Sequence, residues 1–159
     1  MGIVDIVDLR AVPHCIPLLA QWHHVQWAHL NPGRTLEDRI ASMQRRLGDA
    51  LIPSTWVAVE NEVVMGSASL VDSDMETHPE LTPWLASVFV APEFRRRGIA
   101  AQLVRRVMQE AQQGGIHTLY LFTPDQQKLY ASLGWTRLAD EIFHGDTVTL
   151  MKVEFPQHT

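Results

Sequence analysis

Hydrophobic positions along this chain follow two spacings, one typical of strands and the other of helices. Runs in which apolar residues cluster or alternate predict strands, at residues 3–7, 55–59, 63–71, 84–90, 118–122, 135–139 and 146–153. Apolar residues that recur every three or four positions predict four helices: one from Pro13 that ends before Asn31, one that starts at Thr35, one from about Arg97 to Gln113, and one near 125–132.

The order of these elements predicts an α+β fold around one central sheet. The first half is rich in strands and hairpins, and the second half runs strand, helix, strand, helix. At 159 residues and 18.0 kDa, with 46% hydrophobic residues, the chain suits a single domain over residues 1–159 that buries its own core.

Cysteine use and hydropathy narrow the cellular context that we expect. Cys15 is the only cysteine, which excludes an internal disulfide framework and suits a reducing compartment. No apolar run approaches the ~20 residues that cross a bilayer, and the first residues lack the features of a secretory leader. We therefore expect a cytoplasmic protein with no membrane partner.

Charge is distributed unevenly. The formal net charge of −5 argues against general nucleic-acid binding. Between Arg46 and Arg95 there is no Lys or Arg, and this stretch contains eight acids: Asp49, Glu60, Glu62, Asp72, Asp74, Glu76, Glu80 and Glu93. Basic residues concentrate at 95–106 instead. This pattern predicts an anionic ligand at the basic segment and a cation near the acids.

The basic segment begins with Arg95-Arg96-Arg97-Gly98-Ile99-Ala100, between a predicted strand and a predicted helix. A helix that begins here would present free backbone N–H groups to a phosphate. Gly98 has no Cβ, so ligand oxygens can approach the main chain closely. The simpler interpretation is a helix N-terminus whose arginines only face water.

Two motifs give this segment a more specific meaning. Arg95-x-x-Gly98-x-Ala100 resembles the Gln/Arg-x-x-Gly-x-Gly/Ala signature of the GNAT family, the Gcn5-related N-acetyltransferases. Downstream, Leu129-Tyr130-Ala-Ser-Leu-Gly134-Trp135 resembles the Phe-Tyr-x-x-x-Gly-Phe motif of the same family. The resemblance covers roughly residues 53–140. It implies a mixed, mostly antiparallel sheet flanked by helices, with two strands splayed apart to form an acyl-CoA groove.

The resemblance also implies an N-acetyltransferase with acetyl-CoA as co-substrate, which passes the acetyl group directly to an amine of a small molecule or peptide. Tyr130 would be the general acid that protonates the departing thiolate. Cofactor contacts would come from the strand end, the basic segment, the next strand and the tyrosine: Val88, Phe89, Val90, Arg95, Arg96, Arg97, Gly98, Ile99, Ala100, Ala101, Thr123 and Tyr130. Many members carry an Asn where this chain has Thr123.

The general base is left open by the sequence. Well-known branches of the family carry a Glu or histidines on the strand before the basic segment, but residues 84–90 contain no ionisable side chain. The base would come from the preceding loop (Asp72, Asp74, Glu76, His78 or Glu80) or be a water chain to solvent. Position favours Glu76 and Asp74. The acidity of this loop further predicts a cationic amine as acceptor.

Two other functions remain open. The chain could be a non-catalytic acyl-CoA-binding regulatory module, or an interaction module that has lost cofactor binding; Tyr130 and the complete basic segment speak against the first. No metal is expected, because the histidines at 14, 23, 24 and 29 lack the i, i+4 spacing of a helical zinc site and have no partner cysteines. A homodimer is compatible with the sequence, which does not fix the oligomeric state.

Overall fold

The computed structural model describes residues 3–156, and within them seven strands form one sheet. The strands are β1 (Asp5–Asp8), β2 (Ser54–Glu60), β3 (Val63–Val71), β4 (Trp84–Val90), β5 (Thr118–Thr123), β6 (Thr136–Phe143) and β7 (Asp146–Glu154). Their order is β1-β2-β3-β4-β5-β7-β6, and every neighbouring pair is antiparallel except β4 and β5. The predicted α+β class with a mixed, mostly antiparallel sheet is confirmed.

Four helices flank the sheet: α1 (Ile16–Trp27), α2 (Leu36–Gln44), α3 (Ile99–Gln113) and α4 (Gln127–Ser132). The prediction that α3 starts at about Arg97 was wrong by two residues, because Arg96 and Gly98 have φ angles of 67° and 75° and cannot belong to a right-handed helix. None of the helices in residues 3–156 has the length and apolar character needed to cross a membrane.

The predicted and observed strand limits differ most at the edges of the sheet. β6 was predicted to end at 139 but runs to Phe143, because it pairs with β7 as far as Asp146. Most β6 side chains are exposed, so the strand carries no apolar alternation that a sequence could reveal. β1 lies at Asp5–Asp8 rather than at 3–7, in register with Trp56–Val59 of β2.

The core occupies both faces of the sheet. On one face, α3 buries its apolar stripe (Ile99, Leu103, Val104 and Val107) against the central strands. On the other face, Leu19 of α1 and Met43 of α2 pack with Val57 of β2. Val57 and its neighbour Ala58 belong to opposite clusters because successive residues of a strand point to opposite faces.

Strands β4 and β5 separate soon after they meet. They share one register pair, Trp84 with Tyr120, whereas β5 pairs with β7 along its whole length. A bulge in β4 adds to this separation, since Ser87 and Val88 together lie opposite Ala68 of β3 and Ser87 has a φ of 55°. The splayed strands leave an opening beside the second half of β4.

Candidate active site

The opening between β4 and β5 is a groove with a volume of about 660 Å³. It collects almost all of the predicted site residues: Asp74, Glu76, Val88, Phe89, Val90, Arg95, Arg96, Gly98, Ile99, Ala100, Ala101, Thr123 and Tyr130. Arg97 is the predicted residue that does not line it. Segments as far apart as residues 74 and 130 therefore meet at one surface, which the sequence motifs alone could not show.

The start of α3 is open to a ligand. Gly98, with its left-handed backbone, is the N-cap, and no side chain satisfies the first N–H groups of the helix. A Cβ built at Gly98 would have no heavy atom within 4 Å, so the space beside this backbone is free. Unsatisfied N–H groups at the positive end of a 15-residue helix form a site for an anion.

The three arginines of the basic segment have different surroundings. Arg95 donates from Nε to the Val90 carbonyl oxygen at 2.9 Å, and its guanidinium lies 5.6 Å from the centre of the Phe89 ring. Arg97 donates from Nη2 to Glu60 Oε2 at 2.9 Å and so turns away from the groove. The side chain of Arg96 lines the groove. Any role of Arg97 at the groove is thereby limited to its main chain.

The β4 bulge lies where β4 lines the groove, at Ser87 and Val88. Because two residues of β4 lie opposite one of β3, the ladder is interrupted at Ser87 and Val88. Behind it, Gly66 keeps the strands in register, since a Cβ at Gly66 would overlap the carbonyl oxygen of Phe89. Main-chain N–H groups released from a ladder are suitable donors to a carbonyl oxygen that gains negative charge.

Tyr130 lies on α4 with 6% of its surface exposed, and its ring packs edge-on against Trp135 at 6.0 Å. Burial raises the pKa of the phenol well above its usual range, and the negative charge of Asp125 adds to the rise. The hydroxyl therefore remains protonated throughout the neutral range, so that it carries a proton, while the raised pKa makes it a weaker acid than an exposed phenol.

Thr123, at the end of β5, has a local structural contact. Its Oγ1 accepts a hydrogen bond from the backbone N–H of Gln126 at 3.0 Å, which fixes the turn that leads into α4. Thr123 is buried and lines the groove. It thus helps to position Tyr130, seven residues further along the chain.

The two candidate bases differ in their surroundings. Asp74 is partly accessible from the groove but surrounded by protein, and this burial raises its pKa to about 7, against the opposing effect of the Arg46 charge. Glu76 is 65% exposed and its Oε1 lies 2.6 Å from Nε2 of His144. A carboxyl with a pKa near neutrality can both accept and release protons at physiological pH.

Several groove residues were not identified from the sequence. Arg34 and Arg39 line the same groove as Asp74, although they precede it by 35 to 40 positions, and Nε2 of His29 lies 3.2 Å from Oδ2 of Asp146. We call Asp74, Glu76, Asp146, His29, Arg34 and Arg39 the charged section of the groove. The available signal was the capping box of Thr35 and Asp38, which fixes the start of α2 but not what α2 faces.

Histidines contribute no metal centre in the described part of the chain, where no group of three or more His, Cys, Asp or Glu is placed to hold an ion. His23 is 4% exposed, with Nε2 at 3.1 Å from Ser67 Oγ. Burial lowers its pKa to about 3, so the ring is neutral at physiological pH. His23 is a packed residue beneath Phe89, with the ring centres 6.0 Å apart.

Comparison with known proteins identifies the family of the chain. The model of the acetyltransferase (GNAT) family matches residues 17–135. The chain belongs to this family. The resemblance carried by the motifs at 95–100 and 129–135 is therefore confirmed.

Relatives of this GNAT chain include human N-acetyltransferase 8, with 35% identity over 109 residues, which are 65% of the chain and 48% of that protein. The chain spans about half the length of the curated relatives it matches. Among solved structures, yncA from Salmonella typhimurium with its cofactor acetyl-CoA superposes with a TM-score of 0.70 at 23% identity, over 100% of this chain and 96% of that one. Spermidine N-acetyltransferase from Vibrio cholerae, in complex with CoA and spermine, has a TM-score of 0.70 at 15% identity, over 95% of each chain. Identities this low establish a shared fold.

Proposed function

We propose that this GNAT protein is an acetyltransferase that passes the acetyl group of acetyl-CoA directly to a primary amine. One observation carries the proposal: the Asp74 carboxyl, the Tyr130 phenol and the open N-terminus of α3 line the same groove. A carboxyl with a pKa of about 7 can accept a proton, and a phenol is protonated at neutral pH and has one to donate.

Acetyl-CoA is the co-substrate that the groove fits. The open N-terminus of α3 at Gly98 offers N–H groups for the pyrophosphate, and Arg96 adds positive charge there. The main chain at Val88, which the β4 bulge leaves outside the regular ladder, would donate to the thioester oxygen. The separation of β4 from β5 leaves room for an extended arm between these two points.

Asp74 and Tyr130 would handle the protons. Asp74 removes one proton from the acceptor ammonium, which leaves a neutral amine able to attack the thioester carbon. As the C–N bond forms and the C–S bond breaks, Tyr130 protonates the departing thiolate. The second proton lost by the reacting nitrogen returns to the Tyr130 phenol, and the proton held by Asp74 is released to solvent, so one proton per turnover leaves the site. Asp74 is preferred to Glu76 because Glu76 is exposed and paired with His144.

The reacting nitrogen of the acceptor is proposed to arrive as a cationic ammonium group, which is its form in solution at neutral pH. Asp74, Glu76 and Asp146 give the charged section of the groove its negative side. Glu80, at the far end of the acidic loop, contacts His78 instead and lies outside the groove lining. Positive charge is proposed only for the reacting group of the acceptor, because Arg34 and Arg39 also line the groove and would repel a second positive charge.

The test is release of free CoA thiol from acetyl-CoA in the presence of a broad panel of amines, combined with calorimetric titration of CoA. Amine-dependent thiol release supports the proposal. Binding of CoA without release by any amine would favour the non-catalytic acyl-CoA-binding module. Absence of CoA binding would favour the interaction module.

A further inference from the structure

The charged section of the groove contains three charged residues without an ion-pair partner. Glu76 faces His144, and Asp146 faces His29. Asp74, Arg34 and Arg39, by contrast, take part in no ion pair within residues 3–156. One negative group and two positive groups therefore face the same groove unpaired.

Arg39 is the most deeply buried of the three, with 7% of its surface exposed. Its Nε donates to Nδ1 of His24 at 3.2 Å, whereas its Nη2 is buried and has no hydrogen-bond partner in the described part of the chain. A buried guanidinium with an unmet N–H is unfavourable unless an anion completes it. Since Arg39 also lines the groove, a ligand can supply that anion.

Arg34 lies close enough to Arg39 for its positive charge to make a bound anion more favourable at this site. Burial lowers the pKa of Arg39, and the positive charge of Arg34 lowers it further, so the two cations repel each other. The acid nearest in sequence, Asp38, accepts the backbone N–H of Thr35 at 3.0 Å as part of the helix cap. No carboxylate of residues 3–156 lies within ion-pair distance of either arginine.

We propose that the acceptor is an amino carboxylate, whose carboxylate binds at Arg39 and Arg34 while its ammonium group faces Asp74. This inference rests on the proposed acetyltransferase function and names the substrate class. A guanidinium presents its N–H groups in a planar fork that matches the two oxygens of a carboxylate. Unpaired charges of both signs in one groove are complementary to a zwitterion, whereas a polyamine would bring further positive charge to the two arginines.

The experiment compares matched amines. Leucine, phenylalanine and methionine are each assayed beside their carboxamide and their decarboxylated amine. Longer spacings are covered by 4-aminobutyrate and 6-aminohexanoate beside butylamine and hexylamine. The readout is kcat/KM for thiol release at saturating acetyl-CoA. The carboxamide retains the amine and has a less basic nitrogen than the acid, so a preference for the acid cannot come from easier deprotonation.

In the wild-type protein, the carboxylate form of at least one series is expected to have a kcat/KM about 10- to 100-fold above its matched amine and carboxamide. The variants Arg39→Gln and Arg34→Gln are expected to bring this ratio toward one. Arg45→Gln is the control, because Arg45 is exposed at the end of α2 and does not line the groove. It should preserve the ratio.

A stability measurement separates binding from a structural role. Arg39→Met removes a buried cation that has no ion-pair partner in the described part of the chain and loses one hydrogen bond, to His24, so the Tm of the free protein should hold or rise. A lower Tm together with an unchanged acid-to-amide ratio would show that Arg39 has a structural role and would overturn the inference. If the Arg39 variants do not fold, the same comparison is made with variants of Arg34, which is half-buried. Equal use of acids, amides and amines by the wild type overturns the inference alone, whereas no thiol release with any amine overturns the proposed function.

Discussion

Arg95 donates a hydrogen bond from Nε to the carbonyl oxygen of Val90 at 2.9 Å, and so ties the anion-binding turn to the end of β4. The same guanidinium lies over the Phe89 ring. Both halves of the donor site, the bulged strand and the start of α3, are therefore held together by one side chain of the turn. This contact helps to fix the distance between the points where the pyrophosphate and the thioester of acetyl-CoA would bind.

Replacing Arg95 by Met should raise KM for acetyl-CoA several-fold and lower the Tm. Loss of one hydrogen bond from a partly exposed charged donor corresponds to about 1 kcal/mol, or about 2–4 °C for a chain of this size. The matched control is Arg97→Met, whose guanidinium pairs with Glu60 outside the groove. Steady-state kinetics and thermal melts should show the smaller effect in the control, since exposed ion pairs contribute little. Equal effects would disprove the proposed function of the Arg95 contact.

Gly98→Val should abolish the rise in Tm that CoA gives the wild-type protein. Its side chain would enter the free space beside the first turn of α3 and block the approach of a phosphate. Gly115→Val is the control, because Gly115 also has a positive φ, 86°, and no heavy atom within 4 Å of a built Cβ. It carries the same backbone strain and should keep the shift. Retention of the shift in Gly98→Val would remove the phosphate site from this turn.

Tyr130→Phe should lower kcat by about 10²-fold or more and leave KM for acetyl-CoA nearly unchanged, because the ring stays and the proton donor is lost. The variant should fold normally, since Phe fills the same buried space beside Trp135. Single-turnover and steady-state rates test this directly. Turnover within about threefold of wild type would show that another group protonates the thiolate.

The wild-type protein is expected to show a rise in kcat/KM as pH increases through about 7, and Asp74→Asn should remove that rise. It should also change stability in a pH-dependent way. Because the pKa of Asp74 is raised from 3.8 to about 7, the folded state binds a proton that the unfolded state releases, and the free energy of unfolding falls as pH rises across that interval.

The Asn variant should thus be more stable than the wild type at about pH 8 and should show no such gain at about pH 4, as measured by urea denaturation. Glu76→Gln is the control and should keep the wild-type pH profile, since Glu76 is exposed and pairs with His144. If the pH profile changes in Glu76→Gln and not in Asp74→Asn, Glu76 would be the general base and Asp74 would not.

His78→Gln should cost more stability at about pH 5.5 than at about pH 9. His78 joins the acidic loop to β6 through Nε2, which lies 2.6 Å from Glu141 Oε1, and its Nδ1 lies 3.1 Å from Glu80 Oε1. Contact with Glu141, and then with Glu80, raises the pKa of His78. The stabilisation is therefore fully present below the ordinary His pKa and is lost as pH rises through the higher value of the folded state.

The expected size for His78 is below about 1 kcal/mol, because the pair is partly exposed and screened by solvent. Denaturation of wild type and variant at the two pH values measures it, and high salt should reduce the difference. A cost that is independent of pH would mean that packing, and not charge, holds the loop.

The sequence determined the elements whose signals are local. The stripe Ile99, Leu103 and Val107 predicted α3 because its spacing matches one face of a helix, and these side chains are buried. Likewise, Gly98 between a strand and that helix predicted an open backbone turn, since only a few neighbouring residues set its geometry. The α+β arrangement followed from the order of such elements along the chain, whereas the mixed, mostly antiparallel sheet was implied by the resemblance of residues 95–100 and 129–135 to the motifs of the GNAT family.

Only the tertiary structure determined which residues form the charged section of the groove. Arg34 and Arg39 reach the groove that Asp74 lines because the α1–α2 segment covers one face of the sheet, and no short-range sequence pattern predicts that approach. The same packing surrounds Asp74 with protein and raises its pKa, while it leaves Glu76 exposed, so two acids that are equivalent in sequence differ in chemistry. Burial and the sum of distant charges are properties of the folded chain, and they separate a candidate base from a surface acid.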